Sequence, residues 1–493
     1  MRLDEIMCDI KYKSFLGDDK INVNKVVYDS RNASEDTIFT AVRGMKVDGH
    51  LFIPDAISRG CKVVLCEEIP EGFSETTFIV VENSRASMAD LSFSLKKNDM
   101  IENLVGVTGT NGKTSITYIL KEIFCRHQKV VGVIGTMGAV IGEKKLSLEN
   151  TTPEAPDLHE LLTEMKKQNV SRCFMEVSSH ATELFRVKNL MFKVGVFTNL
   201  TEDHLIFHHT MENYYQAKKK FFLQCKSAVI NIDDLYGKRL YKELSNEGLH
   251  VVGYSSEEKT DYIISKTKIT KEGCTFAIIF GESEYPATIR TPGKFNIYNY
   301  TAAVIAAHLE GIPLVEAIDS ISKINGVAGR FEFLPTKLGC TIIVDFAHTP
   351  DGLEKVMETI EQFAKGRKIV LFGAQGERDR SRRAKMGEVA GKYCDFIVLT
   401  SDNPVNEDPY TICNEIAQGV SRYHLNYKII IERDEAISYL IDNYQEGDTI
   451  LLAGKSTEPY QIIGDKKIPY DEKKIAQEAI ARKELKDMIR NDS

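Results

Sequence analysis

The sequence predicts an α/β protein of three domains. These are a small N-terminal α/β domain over residues 1–98, a central α/β domain carrying a phosphate-binding loop (P-loop) over 99–330, and a C-terminal Rossmann-like, doubly wound domain over 331–493. Three observations carry this expectation. A chain of 493 residues exceeds what one hydrophobic core organises and divides into about three units of roughly 100–200 residues each. Between Leu104 and Arg126 an apolar strand runs through a glycine loop into an amphipathic helix, the order that binds phosphate. From about Thr341, short continuously apolar runs alternate with helix-length segments, as in a mostly parallel sheet covered on both faces.

Along the first hundred residues, apolar runs such as Val63-Val64-Leu65 and Phe78-Ile79-Val80-Val81 alternate with helical stretches. The polar segment Lys96 to Glu102 reads as a linker. Leu104-Val105-Gly106-Val107 is a buried strand, and Ile116, Ile119, Leu120, Ile123 and Phe124 recur at helical spacing, predicting a helix over 115–126. Val130 to Gly142, uncharged but glycine-rich, reads as strand and turn. Gly326 to Arg330 interrupts the pattern and is the expected hinge. Beyond it, Ile342-Ile343-Val344, Ile369-Val370-Leu371-Phe372, Phe396-Ile397-Val398-Leu399, Ile429-Ile430-Ile431 and Ile450-Leu451-Leu452 supply the strands, and Leu353, Val356, Met357, Ile360 and Phe363 mark one intervening helix.

Composition narrows the function. With 43% hydrophobic and 27% charged residues the chain is of folded type, and a net charge of -8 argues against nucleic acid or an anionic membrane as the main partner. Any phosphate must therefore be held locally. The ten cysteines show no C-x-x-C pair or metal-ligand spacing, so reduced thiols are expected. No apolar run approaches the ~20 residues of a membrane span, and Asp4 and Glu5 interrupt the N-terminus, so a cytoplasmic protein without a signal peptide is expected.

The strongest local signal is Thr108-Gly109-Thr110-Asn111-Gly112-Lys113-Thr114-Ser115. Glycines let backbone amides turn onto phosphate oxygens, Lys113 can reach the terminal phosphates, and Thr114 can ligate Mg²⁺. The match departs from the full pattern at Val107, with Gly106 one place early. Glu176 follows a short apolar run, where strand ends deliver ligands to a site, and carboxylate oxygen suits Mg²⁺. Taken alone, Glu176 reads better as a capping or surface residue and His204 as a structural histidine. On a helix starting near Met211, Tyr214, Lys218, Phe221, Phe222 and Cys225 share one face, which turns Lys218 inward and Lys219 and Lys220 elsewhere. An inward ammonium is costly unless paired, so Lys218 is an ion-pair member, a snorkelling lysine or a modified group.

These segments, with Met175 to His180, Thr198 to His204, Ala217-Lys218, Gly293 to Asn299, Gly329 to Glu332, Val344 to Asp351 and Ser401 to Pro404, resemble the Mur ligase superfamily in order and spacing over essentially the whole chain. The likeness is greatest to the UDP-N-acetylmuramoyl-tripeptide synthetases. The resemblance implies an ATP- and Mg²⁺-dependent ligase that adds the third residue to UDP-N-acetylmuramoyl-L-Ala-D-Glu through an acyl phosphate. It also implies that residues 1–98 bind the UDP substrate, 99–330 bind ATP and 331–493 bind the amino acid. Lys113, Lys218 and His204 would be catalytic. Gly109 to Ser115, Asn296, Arg330 and Asp345 would contact ATP, and Thr114, Glu176, His204 and Lys218, the last as N6-carboxylysine, would surround the metal. Ser30, Thr151, Thr152, Ser178 and Arg186 would contact the muramoyl dipeptide, with Leu184 standing where many relatives carry a polar residue. Arg378, Asp402, Asn403, Gly454 and Glu458 would grip the amino acid. A monomer without nucleic-acid partners is expected. A folylpolyglutamate synthase-like ligase and a non-enzymatic nucleotide switch are the remoter alternatives.

For the incoming amine the sequence points to L-lysine ahead of meso-diaminopimelate or L-ornithine. Relatives using diaminopimelate typically continue Asp-Asn-Pro with arginine, and this chain has Val405, which offers no donor to a second carboxylate. Asp402 and Glu407 are expected to attract the lysine ammonium and repel that carboxylate. Arg380, Arg382 and Arg383 are the other cations within reach.

Overall fold

The computed structural model describes residues 1–8, 10–44, 47–73 and 75–491, and the side chains of these up to 489. Near the N-terminus lie β1 (Ser14–Leu16), β2 (Lys25–Val27), β3 (Thr37–Thr40), β4 (Val63–Cys66) and β5 (Thr77–Val80), ordered β1-β5-β4-β3-β2. All neighbours are parallel except β1 and β5. Ile38, Val63, Leu65 and Ile79 face one core, and Phe39, Val64, Cys66 and Phe78 the other. That period of two is what burying both faces of a sheet requires.

The second sheet is larger. It comprises β6 (Leu104–Thr108), β7 (Val131–Gly135), β8 (Gly138–Ile141), β9 (Lys144–Leu146), β10 (Arg172–Glu176), β11 (Phe192–Phe197), β12 (Cys225–Asn231), β13 (His250–Ser255), β14 (Tyr262–Thr270), β15 (Gly273–Phe280) and β16 (Ser283–Ile289). The order is β16-β15-β14-β13-β12-β11-β6-β10-β7-β8-β9, with β6 flanked by β10 and β11, both parallel to it. Strand ends that carry Thr108, Glu176 and Phe197 thus converge on one rim, where open α/β sheets place their ligands. The β14–β15–β16 ribbon is antiparallel, an extension not anticipated from the sequence.

The third sheet runs β17 (Glu332–Leu334), β18 (Thr341–Asp345), β19 (Lys368–Phe372), β20 (Phe396–Leu399), β21 (Tyr427–Ile429) and β22 (Thr449–Ala453), ordered β17-β18-β22-β19-β20-β21. Only β17 pairs antiparallel. The hairpin of β23 (Tyr460–Ile463) and β24 (Lys466–Pro469) stands apart. Two expectations need correction. Strand β21 at the sheet edge spans Tyr427–Ile429, two residues earlier than the expected run Ile429-Ile430-Ile431, and all three of its residues pair with β20. Cys225 does not belong to the Lys218 helix, which ends at Phe222 and leaves Cys225 to open β12.

Candidate active site

At the rim of the second sheet, β6 passes through the loop 109–112 into the helix Lys113–Arg126. Gly109 and Gly112 have φ of 143° and 91°, and a Cβ on Gly109 would lie 1.8 Å from Thr198 Oγ1, so this turn needs glycine. Asn199 pins the loop, accepting from the Thr110 amide at 2.9 Å on its carbonyl and from the Asn111 amide at 3.0 Å on Oδ1. Lys113 Nζ donates to the carbonyls of Gly109 at 3.0 Å and Thr110 at 2.8 Å. Burial pushes its pKa down, and the carboxylates of Glu176 and Asp203 oppose that shift.

Glu176, at the end of β10, is buried beside the loop. Its Oε1 accepts from Thr114 Oγ1 at 2.8 Å and the Thr136 amide at 2.9 Å, and its Oε2 accepts from Thr136 Oγ1 at 3.1 Å. Arg330 reaches across the 329–331 junction and donates to Thr114 Oγ1 at 3.0 Å, its guanidinium lying 4.3 Å from the Phe346 ring centre. A carboxylate and a threonine hydroxyl beside a phosphate loop are a donor set that suits Mg²⁺. Among the described residues no three His, Cys, Asp or Glu side chains form a metal cage.

The expected dipeptide contacts gather around Glu176. Thr151 Oγ1 lies 3.1 Å from Thr136 Oγ1, and Thr152 Oγ1 donates to the Glu176 carbonyl at 2.8 Å. Ser178 donates its amide to Thr152 Oγ1 at 3.2 Å and caps the helix Ser179–Glu183. Arg186 donates to the Thr152 carbonyl at 3.0 Å and pairs with Glu154 at 2.8 Å. Ser30 lies in the first sheet's layer, on a short turn capped by Asp29. Leu184 closes the helix Ser179–Glu183 as its C-terminal cap.

Lys218, on the helix Met211–Phe222, is 1% exposed, while Lys219 and Lys220 pair outward with Glu243, Glu247 and Glu183. Its Nζ donates to the Gly109 carbonyl at 2.8 Å and sits 4.8 Å from the Tyr214 ring centre. Burial, and then the Lys113 ammonium, hold its pKa well below the ordinary lysine value. His204 stands at φ 55° with its ring edge-on to His180 at 4.9 Å and its Nε2 3.5 Å from Asp203. Desolvation lowers its pKa, so the imidazole is neutral. Glu176, His204 and Lys218 all lie close enough to Lys113 to interact with its charge, and among the described residues no hydrogen bond or ion pair joins the three to one another.

Asn296 donates to the Pro292 carbonyl at 2.7 Å, on a face shared with Asn299. Asn299 is the nearer to the loop, its Oδ1 2.5 Å from where a Gly112 Cβ would lie. Asp345 has both oxygens engaged by backbone, accepting from the amides of Phe331 and Ala347 at 2.7 Å each. It fastens the junction beside Arg330.

A second cluster lies at the C-terminal ends of β20 and β22. Lys455, 0% exposed, donates to Asn403 Oδ1 and Glu458 Oε2 at 2.6 Å each and lies 3.6 Å from Asp402. Asn403 Nδ2 donates to Glu458 at 2.9 Å. Gly454, at φ 99°, leaves room for Asp402. Arg378 is exposed and, among the described residues, makes no hydrogen bond or ion pair. Lys455, Asn299 and Thr136 were not anticipated. Asn299 and Lys455 stand inside or beside segments already singled out, whereas nothing at Thr136 signalled its contact with Glu176.

The charge pattern around residue 405 differs from the one the sequence suggests. Glu407 offers no free negative charge, because Arg383 grips it at 2.9 and 3.0 Å and Arg380 at 3.1 Å, and its pKa falls to about 2. Asp402 faces Lys455. Repulsion of a second carboxylate therefore has no basis at these two residues. Val405 itself sits at φ 55°, pinned to the β23–β24 hairpin through Ile462 and Gly464.

This architecture and loop define a nucleotide-dependent ligase, and the comparisons place it. The chain belongs to the Mur ligase family, ATP-dependent amide-forming enzymes. Residues 22–90 match the model for the Mur ligase family catalytic domain, 107–307 the Mur ligase middle domain, and 329–456 the Mur ligase glutamate ligase domain. It is 41% identical over 483 residues to UDP-N-acetylmuramoyl-L-alanyl-D-glutamate–2,6-diaminopimelate ligase 1 of Clostridium acetobutylicum, covering 97% of this chain and 99% of that one. The corresponding ligase of Clostridioides difficile is 38% identical over 484 residues, covering 98% and 100%. A solved 2,6-diaminopimelate ligase structure superposes with a TM-score of 0.69 at 29% identity, covering 98% and 99%. The MurF ligase of Thermotoga maritima in complex with ADP shares the fold at a TM-score of 0.64 and 18% identity, covering 94% and 98%. Among the described residues no helix is long and apolar enough to cross a membrane.

Proposed function

We propose that this protein joins meso-2,6-diaminopimelate to the D-glutamyl carboxylate of UDP-N-acetylmuramoyl-L-alanyl-D-glutamate, consuming ATP, in the cytoplasm. The observation that carries this reading is the end-to-end likeness to relatives bearing that name. Loss of the repulsion once expected from Asp402 and Glu407 agrees with it. Lysine remains a second reading for one reason: Val405 offers no side-chain donor to a distal carboxylate.

The D-glutamyl carboxylate, positioned by the surface of Thr151, Thr152, Ser178 and Arg186, attacks the γ-phosphorus of ATP and ADP leaves. Lys113 neutralises charge moving onto the β,γ-bridge, and Arg330 does so from across the junction. Thr114 and Glu176 would hold Mg²⁺, which supplies further neutralisation of the transferring group. The amine nitrogen then attacks the acyl carbon and expels phosphate. Arg378, Asn403, Gly454 and Glu458 hold that amino acid. His204, kept neutral, contributes hydrogen bonding and no charge.

Lys218 is carboxylated in this reading. A buried lysine with no carboxylate in contact is held as the neutral amine, whose lone pair attacks CO₂, forming an N–C bond and releasing a proton. The product is an anionic oxygen donor next to the phosphate loop. Incubation with ATP, Mg²⁺, the UDP-muramoyl dipeptide and equal meso-diaminopimelate, L-lysine and L-ornithine tests the reading. Diaminopimelate product is expected, and predominant lysine product would overturn the substrate assignment.

A further inference from the structure

Two consecutive arginines open the helix Ser381–Tyr393, and they point to different places. Arg382 crosses to the central unit, its Nη1 donating to Asp203 Oδ1 at 2.8 Å and its Nη2 to the His348 carbonyl at 2.9 Å. The pair is secluded, with side-chain exposures of 14% and 5%. Asp203 Oδ1 also accepts the His204 amide at 2.7 Å, so one carboxylate holds both Arg382 and the backbone of His204. About one turn further along the helix, the more exposed Lys385 reaches Glu202 at 2.7 Å. Three successive residues, Glu202 to His204, are therefore held by or next to the first turn of a helix from the other unit.

Arg383 faces the opposite way. It is 1% exposed and grips Glu407 and Glu415, while Glu407 also accepts the Glu377 amide at 2.5 Å. It thereby ties the segment 404–408, which carries Val405, to the segment 375–378, which carries Arg378. A charged contact that is nearly desolvated on both sides holds geometry more firmly than an exposed pair.

We propose that Arg382 is a positioning residue for phosphoryl transfer: through Asp203 it sets His204 beside the phosphate loop, and through the shared helix turn with Arg383 it links that setting to the amino-acid segment. The proposal rests on the ligase reading above. Its consequence is that the two halves of the reaction are geometrically coupled across one helix turn. A contact made between units exists only when they are apposed, so the phosphate site is complete only in that arrangement. Arginine suits the role because its planar fork bonds the carboxylate and a carbonyl at once; lysine supplies the charge with a single point of contact.

The experiment uses the full chain and compares wild type, Arg382→Ala, Arg382→Lys, Asp203→Asn and the Arg382→Ala/Asp203→Asn double variant. Each is assayed for ligation with all three substrates varied, and its thermal midpoint is recorded. Wild-type ligation is the control for the ligase reading, and its absence with every amino acid would sink that reading. Given an active wild type, Arg382→Ala is expected to lower kcat on the order of 100-fold, as misplaced reacting groups do, with KM for ATP nearly unchanged. Arg382→Lys recovers only part of that loss, because it keeps the charge on Asp203 and gives up the second contact. The double variant falls no further than the worse single, because both act through one contact. Full additivity, a loss confined to KM for the amino acid, or an unaltered kcat would each overturn the proposal. A fall in thermal midpoint that accounts for the lost activity would overturn it too.

Discussion

Lys218 is held where lysine is least comfortable. It is buried on the inner face of its helix, with a backbone carbonyl and a tyrosine ring for company and the Lys113 ammonium nearby. Selection for stability alone would place an apolar chain there. Lys218→Met is therefore expected to abolish ligation and raise unfolding free energy by about 1 kcal/mol, the trade met where a site is kept strained for chemistry. Parallel turnover and urea titrations decide it; a variant that retains turnover would remove Lys218 from the chemistry. His159 gives a residue-scale pH dependence. Its ring is fully buried, Nδ1 lies 2.8 Å from Ser92 Oγ, and burial lowers its pKa to about 4. The folded state keeps it neutral while the unfolded chain protonates it near pH 6.5, so stability is lost as pH falls from about 6.5 to about 4, amounting to about 3 kcal/mol. His159→Gln should flatten the stability profile over that window and leave it unchanged above pH 7.

At the scale of elements, the junction between the second and third sheets is a hydrogen-bonded knot. Phe331 has φ 48°, and Asp345 at the end of β18 accepts its amide together with that of Ala347. Ser456 Oγ donates to the Gly329 carbonyl at 2.8 Å, and the Ser456 amide to Glu472, which also forms a buried pair with Arg433. Asp345→Ala strands two buried amides at about 1–3 kcal/mol each. It should lower the urea midpoint accordingly, with Asp345→Asn, which keeps one acceptor, losing roughly half. Equal losses in both variants would mean that the hydrogen bonds are not what Asp345 contributes. At this scale the sequence was legible in part. The helix expected over 115–126, which begins two residues earlier at Lys113, and the strands of the third sheet follow from period and turn residues. The β14–β16 ribbon was not read, because its alternation of buried and exposed residues is interrupted by the bulge between Ser265 and Lys268.

Across the whole molecule, three sheets each carry cores on their own faces, and the units meet through both polar and apolar contacts: Tyr28 to Asp157 at 2.5 Å, Arg85 to Glu154 at 2.7 Å, Asn111 to Asp351 at 2.8 Å and Arg382 to Asp203, with Phe93 packed on the central core and Phe295 on the core of the third sheet. A chain with a separate core for each sheet is expected to unfold in more than one step. ADP is expected to raise the transition of the central unit, by about 2.7 kcal/mol at a concentration 100-fold above its Kd, and Lys113→Ala to remove most of that shift. Calorimetry with and without ADP tests this; a uniform rise of every transition would show the units to be one cooperative body.

What the sequence determined by itself is whatever is local or periodic. The phosphate loop at 108–115 is written in consecutive residues, the inward turn of Lys218 follows from helical spacing, and the parallel third sheet follows from its alternating runs. Tertiary structure decided everything that depends on which charges meet. Glu407 reads from sequence as a free carboxylate and is in fact neutralised by Arg383, 24 residues away, while Asp402 finds Lys455, and Arg382 finds Asp203 in another unit. The physical reason is that a charge acts through its surroundings: its effect on a ligand depends on the counter-ion that folding brings to it, and no spacing along the chain records that partner.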